Sequence, residues 1–157
     1  PIKKFIKLTK YHDEQNHLNL FANIIIYYIK WHKIEFDYII PVASDYLTLI
    51  KKSQNHNSLI AKKIARYFNK KTLNNILKCK NKGSQTLLSS SERKKNIKNI
   101  FYLNHNEIKK INFKKIILLD DITTTGATIE NILEIFKEQN ITKIYPITLN
   151  KTFLTIK

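Results

Sequence analysis

Hydrophobic residues along this chain follow two periods. Leu18, Phe21, Ile25 and Tyr28 recur at steps of three and four, which predicts a helix over about residues 15–31. Ile60, Ile64 and Phe68 predict a second helix over about 56–69. Ile129, Ile132, Leu133 and Phe136 predict a third, opening after Gly126. Short apolar runs lie between these stripes. Phe36 to Val42, ending at Pro41-Val42, predicts a strand, as do Thr72 to Leu77, Phe101 to Leu103 and Lys143 to Leu149. Ile116-Ile117-Leu118-Leu119 is the clearest of them. A continuous apolar run bounded by polar residues suits a parallel strand buried on both faces. Strands alternating with helices predict an α/β fold: an open, mainly parallel sheet flanked by helices. Residues 79–98, rich in Lys, Ser and Asn, predict a long mobile loop.

The chain has 157 residues, enough for a single domain with one real core, and 43% of them are hydrophobic. The single cysteine, Cys79, excludes a disulfide framework or a multi-cysteine zinc site within these residues and suits a reducing, cytoplasmic setting. The greasiest stretch, Phe21 to Ile29, is interrupted by Asn23 and falls short of the roughly 20 apolar residues that cross a bilayer. The five histidines are too scattered to suggest a metal constellation. His56 reads as a polar residue at a helix start. The chain opens on Pro1, without methionine, and reads as a piece of something longer.

A formal charge of +16 favours polyanions: nucleic acid, an acidic membrane face or phosphorylated small molecules. The cations are nearly all lysine, with arginine only at 66 and 93. A chain rich in Lys, Asn and Ile also reflects an AT-rich genome, so codon bias explains the charge equally well. Tyr27, Tyr28, Trp31, Tyr67 and Phe68 are the aromatics that could serve a nucleic-acid platform. The expectation is that most of them pack inside and that Trp31 anchors the first helix.

The chemistry concentrates where the clearest strand ends. Asp120-Asp121-Ile122-Thr123-Thr124-Thr125-Gly126-Ala127-Thr128 puts two carboxylates at the carboxyl edge of a sheet, where ligands of such folds bind. Hydroxyls, a glycine and a helix start follow. Helix N-termini present unpaired N–H groups and a positive dipole end, which favour a phosphate. Gly126, one of two glycines in the chain, lets the backbone approach it closely. The carboxylates can accept from sugar hydroxyls or hold Mg²⁺ through water. A threonine-capped helix beside a surface acidic pair is the plain alternative. The complete arrangement in this setting favours a ligand.

This segment resembles the phosphoribosyl pyrophosphate (PRPP) signature of the type I phosphoribosyltransferases. The resemblance implies that Asp120 and Asp121 bind the ribose hydroxyls. Thr123, Thr124, Thr125, Gly126, Ala127 and Thr128 would cradle the 5′-phosphate. Two further stretches resemble the ComF family of competence-associated phosphoribosyltransferase-like proteins. Gln85, Leu87, Glu92-Arg93, Asn96 and Phe101 follow the spacing of that family's mobile loop. Ile39-Ile40-Pro41-Val42 is similar to its first strand and pyrophosphate loop, and Asn55, Leu59 and Ala61 to its Asn-Gln segment. The likeness runs over roughly residues 36–150, the core of a single phosphoribosyltransferase-like domain spanning 1–157. Residues 1–35 would form a small helical hood.

By that resemblance Asp120, Asp121 and Arg93 are the candidate catalytic residues. Val42, Ala43 and Ser44 would form the pyrophosphate loop, and Gln85, Arg93 and Asn96 the working part of the mobile loop. Mg²⁺ would accompany PRPP. The family also implies a role in natural transformation, with imported single-stranded DNA and the competence machinery as partners. The place would be the cytoplasm, peripheral to the inner face of the membrane. The acceptor of any phosphoribosyl transfer is not legible, and a protein that only senses PRPP satisfies the same residues. The departures fall on the pyrophosphate side. Ala43-Ser44-Asp45 stands where the family has a second proline and arginines, Lys52-Ser53-Gln54 where it has Arg-Gly-Phe, and His56 where it has Gln. The amino-terminal four-cysteine zinc module of many relatives has no counterpart here.

Overall fold

The computed structural model describes residues 14–42, 56–79, 101–111, 114–120 and 126–148. Its elements, in chain order, are α1 (Glu14–Trp31), β1 (Tyr38–Pro41), α2 (His56–Tyr67), β2 (Lys71–Thr72), β3 (Leu77–Cys79), β4 (Phe101–Leu103), α3 (His105–Ile108), a 3₁₀ turn (Lys109–Ile111), β5 (Ile116–Asp120), α4 (Ala127–Glu138) and β6 (Ile144–Thr148).

Four strands form one parallel sheet in the order β2-β1-β5-β6. Period-two alternation sends successive side chains of the inner strands to opposite faces. Ile39, Ile117 and Leu119 meet Leu18, Ala22, Ile25 and Ile29 of α1 and Ile60, Ala61 and Ile64 of α2. Ile40, Ile116 and Leu118 join Ile129, Ile132 and Phe136 of α4 in the second core, with Leu77 and Leu103 from an antiparallel β3–β4 pair. All five residues of β5 are buried, as a strand covered on both faces must be. Pro146, which cannot donate to a ladder, lies on the edge strand β6.

The helices end on residues with positive φ: Lys33 after α1, Asn69 after α2 and Asn140 after α4. Each is followed by a backbone bond that closes the last turn: Ile34 N–H to the Ile29 carbonyl, Lys70 to Ala65 and Ile141 to Phe136. Asparagine and lysine thus do the work that glycine usually does at such ends.

Register is pinned at the amino-terminal edge. The Asp37 N–H donates to the Lys115 carbonyl at 2.7 Å, and the Asp37 carboxylate accepts from the Lys115 N–H at 2.9 Å. The Lys115 ammonium pairs with Glu35. The Lys115 hydrogen bond, then its charge, holds the Glu35 carboxyl below its ordinary range, and the same bond raises Lys115. Both groups lie in water, so the pair fixes geometry more than it adds stability.

Two expectations need correction. Thr72 to Leu77 is not one strand. Asn74 and Asn75 form a turn, so Lys71–Thr72 joins the parallel sheet and Leu77–Cys79 the other one. Nor does Trp31 anchor α1 or most of the named aromatics pack inside. Trp31 is 71% exposed, Tyr27 66% and Tyr67 56%, while Tyr28 and Phe68 are only partly covered. Leu20 and Ile24 are exposed as well. With Tyr27 and Trp31 they make a second stripe on α1, facing away from the core. Among the described residues no helix is long and apolar enough to cross a membrane.

Candidate functional site

The Asp37–Lys115 clamp at one edge of the sheet determines what meets at the other. With Tyr38 opposite Ile116, the ladder runs to Pro41 opposite Leu119. One step further, Val42 N–H donates to the Leu119 carbonyl at 2.8 Å, and the chain delivers Asp120 beside it. Asp120 is 7% exposed and Val42 4%. A carboxylate buried this far is costly unless hydrogen bonds replace its water.

One such donor was not expected from the sequence. Asn57, the second residue of α2, donates through Nδ2 to Asp120 Oδ1 at 3.4 Å and to the Val42 carbonyl at 3.3 Å. Its own exposure is 5%. A signal was present in the sequence: Asn57 stands three and four residues before Ile60 and Ala61, on the apolar stripe of α2, where a polar residue needs a reason. Neighbouring His56 opens α2, as expected of a helix-start polar residue.

Gly126 precedes α4 as its N-cap, with φ 87° and ψ −13°. The Glu130 N–H makes the first helical bond, to the Gly126 carbonyl at 3.0 Å. The N–H groups of Ala127, Thr128 and Ile129 therefore fall in the first turn, where a helix has no carbonyl of its own to offer them and where anions commonly bind. A Cβ placed on Gly126 would come no closer than 3.8 Å to Glu130 Oε1, so the position demands glycine for its torsion and not for space. Gly126→Ala is expected to lower stability by about 1–2 kcal/mol, the cost of a left-handed alanine. Urea unfolding of the two proteins would read it; an unchanged midpoint would contradict the strained torsion.

The structure thus joins Val42 and Asp120 at the sheet edge through Asn57 and places Gly126, Ala127 and Thr128 at the start of the following helix. Ala43, Ser44, Gln85, Arg93, Asn96, Asp121, Thr123, Thr124 and Thr125 lie outside the described residues. Asn55 does too. Among the described residues no group of three or more His, Cys, Asp or Glu is placed to hold a metal.

No family model matches the chain. Competence protein F of Haemophilus influenzae is 30% identical to it over 109 residues, 68% of this chain and 46% of that protein. The match therefore spans about half the length of the relative. Among solved structures, one described as the allosteric regulatory enzyme of purine biosynthesis superposes with a TM-score of 0.52. It is 14% identical and covers 81% of this chain and 24% of its own. The glutamine PRPP amidotransferase of B. subtilis, complexed with ADP and GMP, has a TM-score of 0.49 at 14% identity, covering 73% and 22%.

Proposed function

The chain is a relative of the ComF family with a type I phosphoribosyltransferase fold, and on that footing we propose that it binds PRPP and acts in natural transformation. The observation that carries this reading is the buried Asp120 carboxylate at the carboxyl end of a central parallel strand, followed six residues later by a left-handed glycine and a helix start. An acceptor for sugar hydroxyls and a seat for a phosphate then lie on one connection. Asp121 and the hydroxyls of Thr123, Thr124, Thr125 and Thr128 complete the grip in this proposal. Asp120 and Asp121 would hold Mg²⁺ through water, and the ion would supply charge neutralisation to the diphosphate.

If transfer occurs, pyrophosphate leaves the ribose carbon and positive charge develops on the ring. In this proposal the negative charge of Asp120 would favour that state, and Arg93 would close on the departing diphosphate. Calorimetric titration of PRPP with Mg²⁺ tests binding, and pyrophosphate release with bases, nucleotides or single-stranded DNA tests turnover. Heats indistinguishable from dilution would end the proposal. Binding without release would leave a sensor in place of an enzyme.

A nucleic-acid role has one specific observation in its favour. Trp31 and Tyr27 stack on the outer face of α1 with ring centroids 6.1 Å apart. Lys30 Nζ reaches Tyr67 Oη at 3.3 Å and stands 5.8 Å from the centroid of that ring. Exposed rings interleaved with cations suit unpaired bases and their phosphates. Trp31 is the only tryptophan, so its fluorescence reports this surface alone. Oligothymidylate is expected to quench it, and, by anisotropy of a labelled oligothymidylate, each of Tyr27→Ala and Trp31→Ala is expected to weaken binding about tenfold. Affinity should fall steeply with salt. An unquenched tryptophan, or affinity that ignores both salt and the substitutions, would remove the DNA partner.

A further inference from the structure

We infer that Asn57 is a positioning residue for the sugar: it fixes the Asp120 carboxylate against the Val42 carbonyl at the end of β1 and thereby sets preference for ribose over deoxyribose. For its ligand this rests on the PRPP reading above. The geometry is particular. An amide nitrogen has two hydrogens, and Asn57 Nδ2 faces two acceptors, Asp120 Oδ1 at 3.4 Å and the Val42 carbonyl at 3.3 Å. These acceptors fix the amide's orientation, since the reverse would set oxygen against both of them. Three segments far apart in sequence are thus joined at the sheet edge: the end of β1, the start of α2 and the end of β5.

A residue that merely filled the core would not be an amide. Asn57 is 5% exposed, and among the described residues its Oδ1 is a buried acceptor with no hydrogen-bond partner. An orphaned buried acceptor calls for a reason. Here it lies on the same amide that orients the carboxylate. A hydroxyl arriving at Asp120 meets a carboxylate already turned by Asn57. Both bonds are long, at 3.3 and 3.4 Å, and leave room to tighten. A sugar lacking the hydroxyl gains nothing from that orientation.

The test compares ribose 5-phosphate with 2-deoxyribose 5-phosphate by calorimetry in wild type, Asn57→Leu and Asn57→Ser. Serine keeps one short donor should leucine fail to fold. Wild type is expected to prefer the ribose compound by about tenfold, the worth of one charge-assisted hydrogen bond. Asn57→Leu should lose most of that preference while holding 2-deoxyribose 5-phosphate as wild type does, and Asn57→Ser should fall between. Equal losses for both sugars would mean a structural role only, and an unchanged ratio would mean none; either overturns the inference. In the free protein, the Asn57 side-chain amide resonance should move on Asp120→Asn. A fixed resonance would deny the contact whatever the ligand does. If wild type binds neither sugar phosphate nor PRPP, the PRPP reading itself fails and the sugar preference falls with it, even with the amide contact intact.

Discussion

Asp120→Asn is expected to weaken PRPP binding on the order of 10–100-fold while leaving the fold as stable as before, or more so. The two halves of this expectation have one cause. Asp120 is almost fully buried at the end of a strand whose other residues are all aliphatic. Keeping a charge there opposes folding. An asparagine of the same shape removes the charge and still offers Oδ1 to Asn57. What it loses is the strong acceptor for sugar hydroxyls, where hydrogen bonds to a charged group contribute about 1.5–3 kcal/mol each. Functional sites commonly trade stability in this way. Calorimetry with PRPP and Mg²⁺, beside urea unfolding of the same preparations, reads both halves. Undiminished affinity would remove Asp120 from the site. A large drop in stability would make it a structural residue.

How much of this was visible in the residues themselves depends on what each signal measures. The unbroken run Ile116 to Leu119 could only be a strand covered on both faces, and the change to Asp120 marked its end. Gly126 stood out because glycine is so rare in the chain, and its φ of 87° supplies the backbone reason. Periodicity was ambiguous on α1. Leu18, Phe21, Ile25 and Tyr28 keep helical spacing, but so do Leu20, Ile24, Tyr27 and Trp31. The second stripe faces outward. A helix with two apolar stripes does not say which one the sheet takes, so Trp31 was misplaced. The break at Asn74-Asn75 was hidden because its flanks, Thr72-Leu73 and Ile76-Leu77, are both β-formers. The helix His105–Ile108 is a single turn started by the Asn104 side chain, which accepts from the Asn106 N–H at 3.1 Å. It is too short to show a period. Asn57 was legible as a polar residue on a buried stripe, but its partners come from 15 and 63 positions away. Only the register of β1 on β5 brings them within reach.

Phe136→Ala should do the reverse of Asp120→Asn: lower stability steeply and leave affinity nearly intact wherever the protein is folded. Among the described residues Phe136 is the largest fully buried side chain, at 0% exposure. It lies on α4, in the core that also holds Ile116, Leu118, Ile129, Ile132 and Ile141. Its carbonyl accepts the Ile141 N–H that closes the end of the helix. Truncation removes a ring from a close-packed interior and leaves a cavity, a change that costs about 3–5 kcal/mol. Domains of this kind are stable by about 5–15 kcal/mol in all, so the loss is a large share. The melting temperature should fall by roughly 6–20 °C, at about 2–4 °C per kcal/mol for a domain of this size. The proposed phosphate seat lies nine residues earlier in the helix, at Ala127, and would depend on the left-handed Gly126 and on the end of β5, neither of which Phe136 forms. PRPP affinity at low temperature should therefore stay within about threefold of wild type, less than the loss of one net hydrogen bond. Saturating ligand should raise the melting temperature of the variant as it does that of wild type, because binding to the folded state alone stabilises both by mass action. If Phe136→Ala instead loses affinity in proportion to stability, the start of α4 is held by its packing further along, and the phosphate seat would be a property of the second core rather than of the turn.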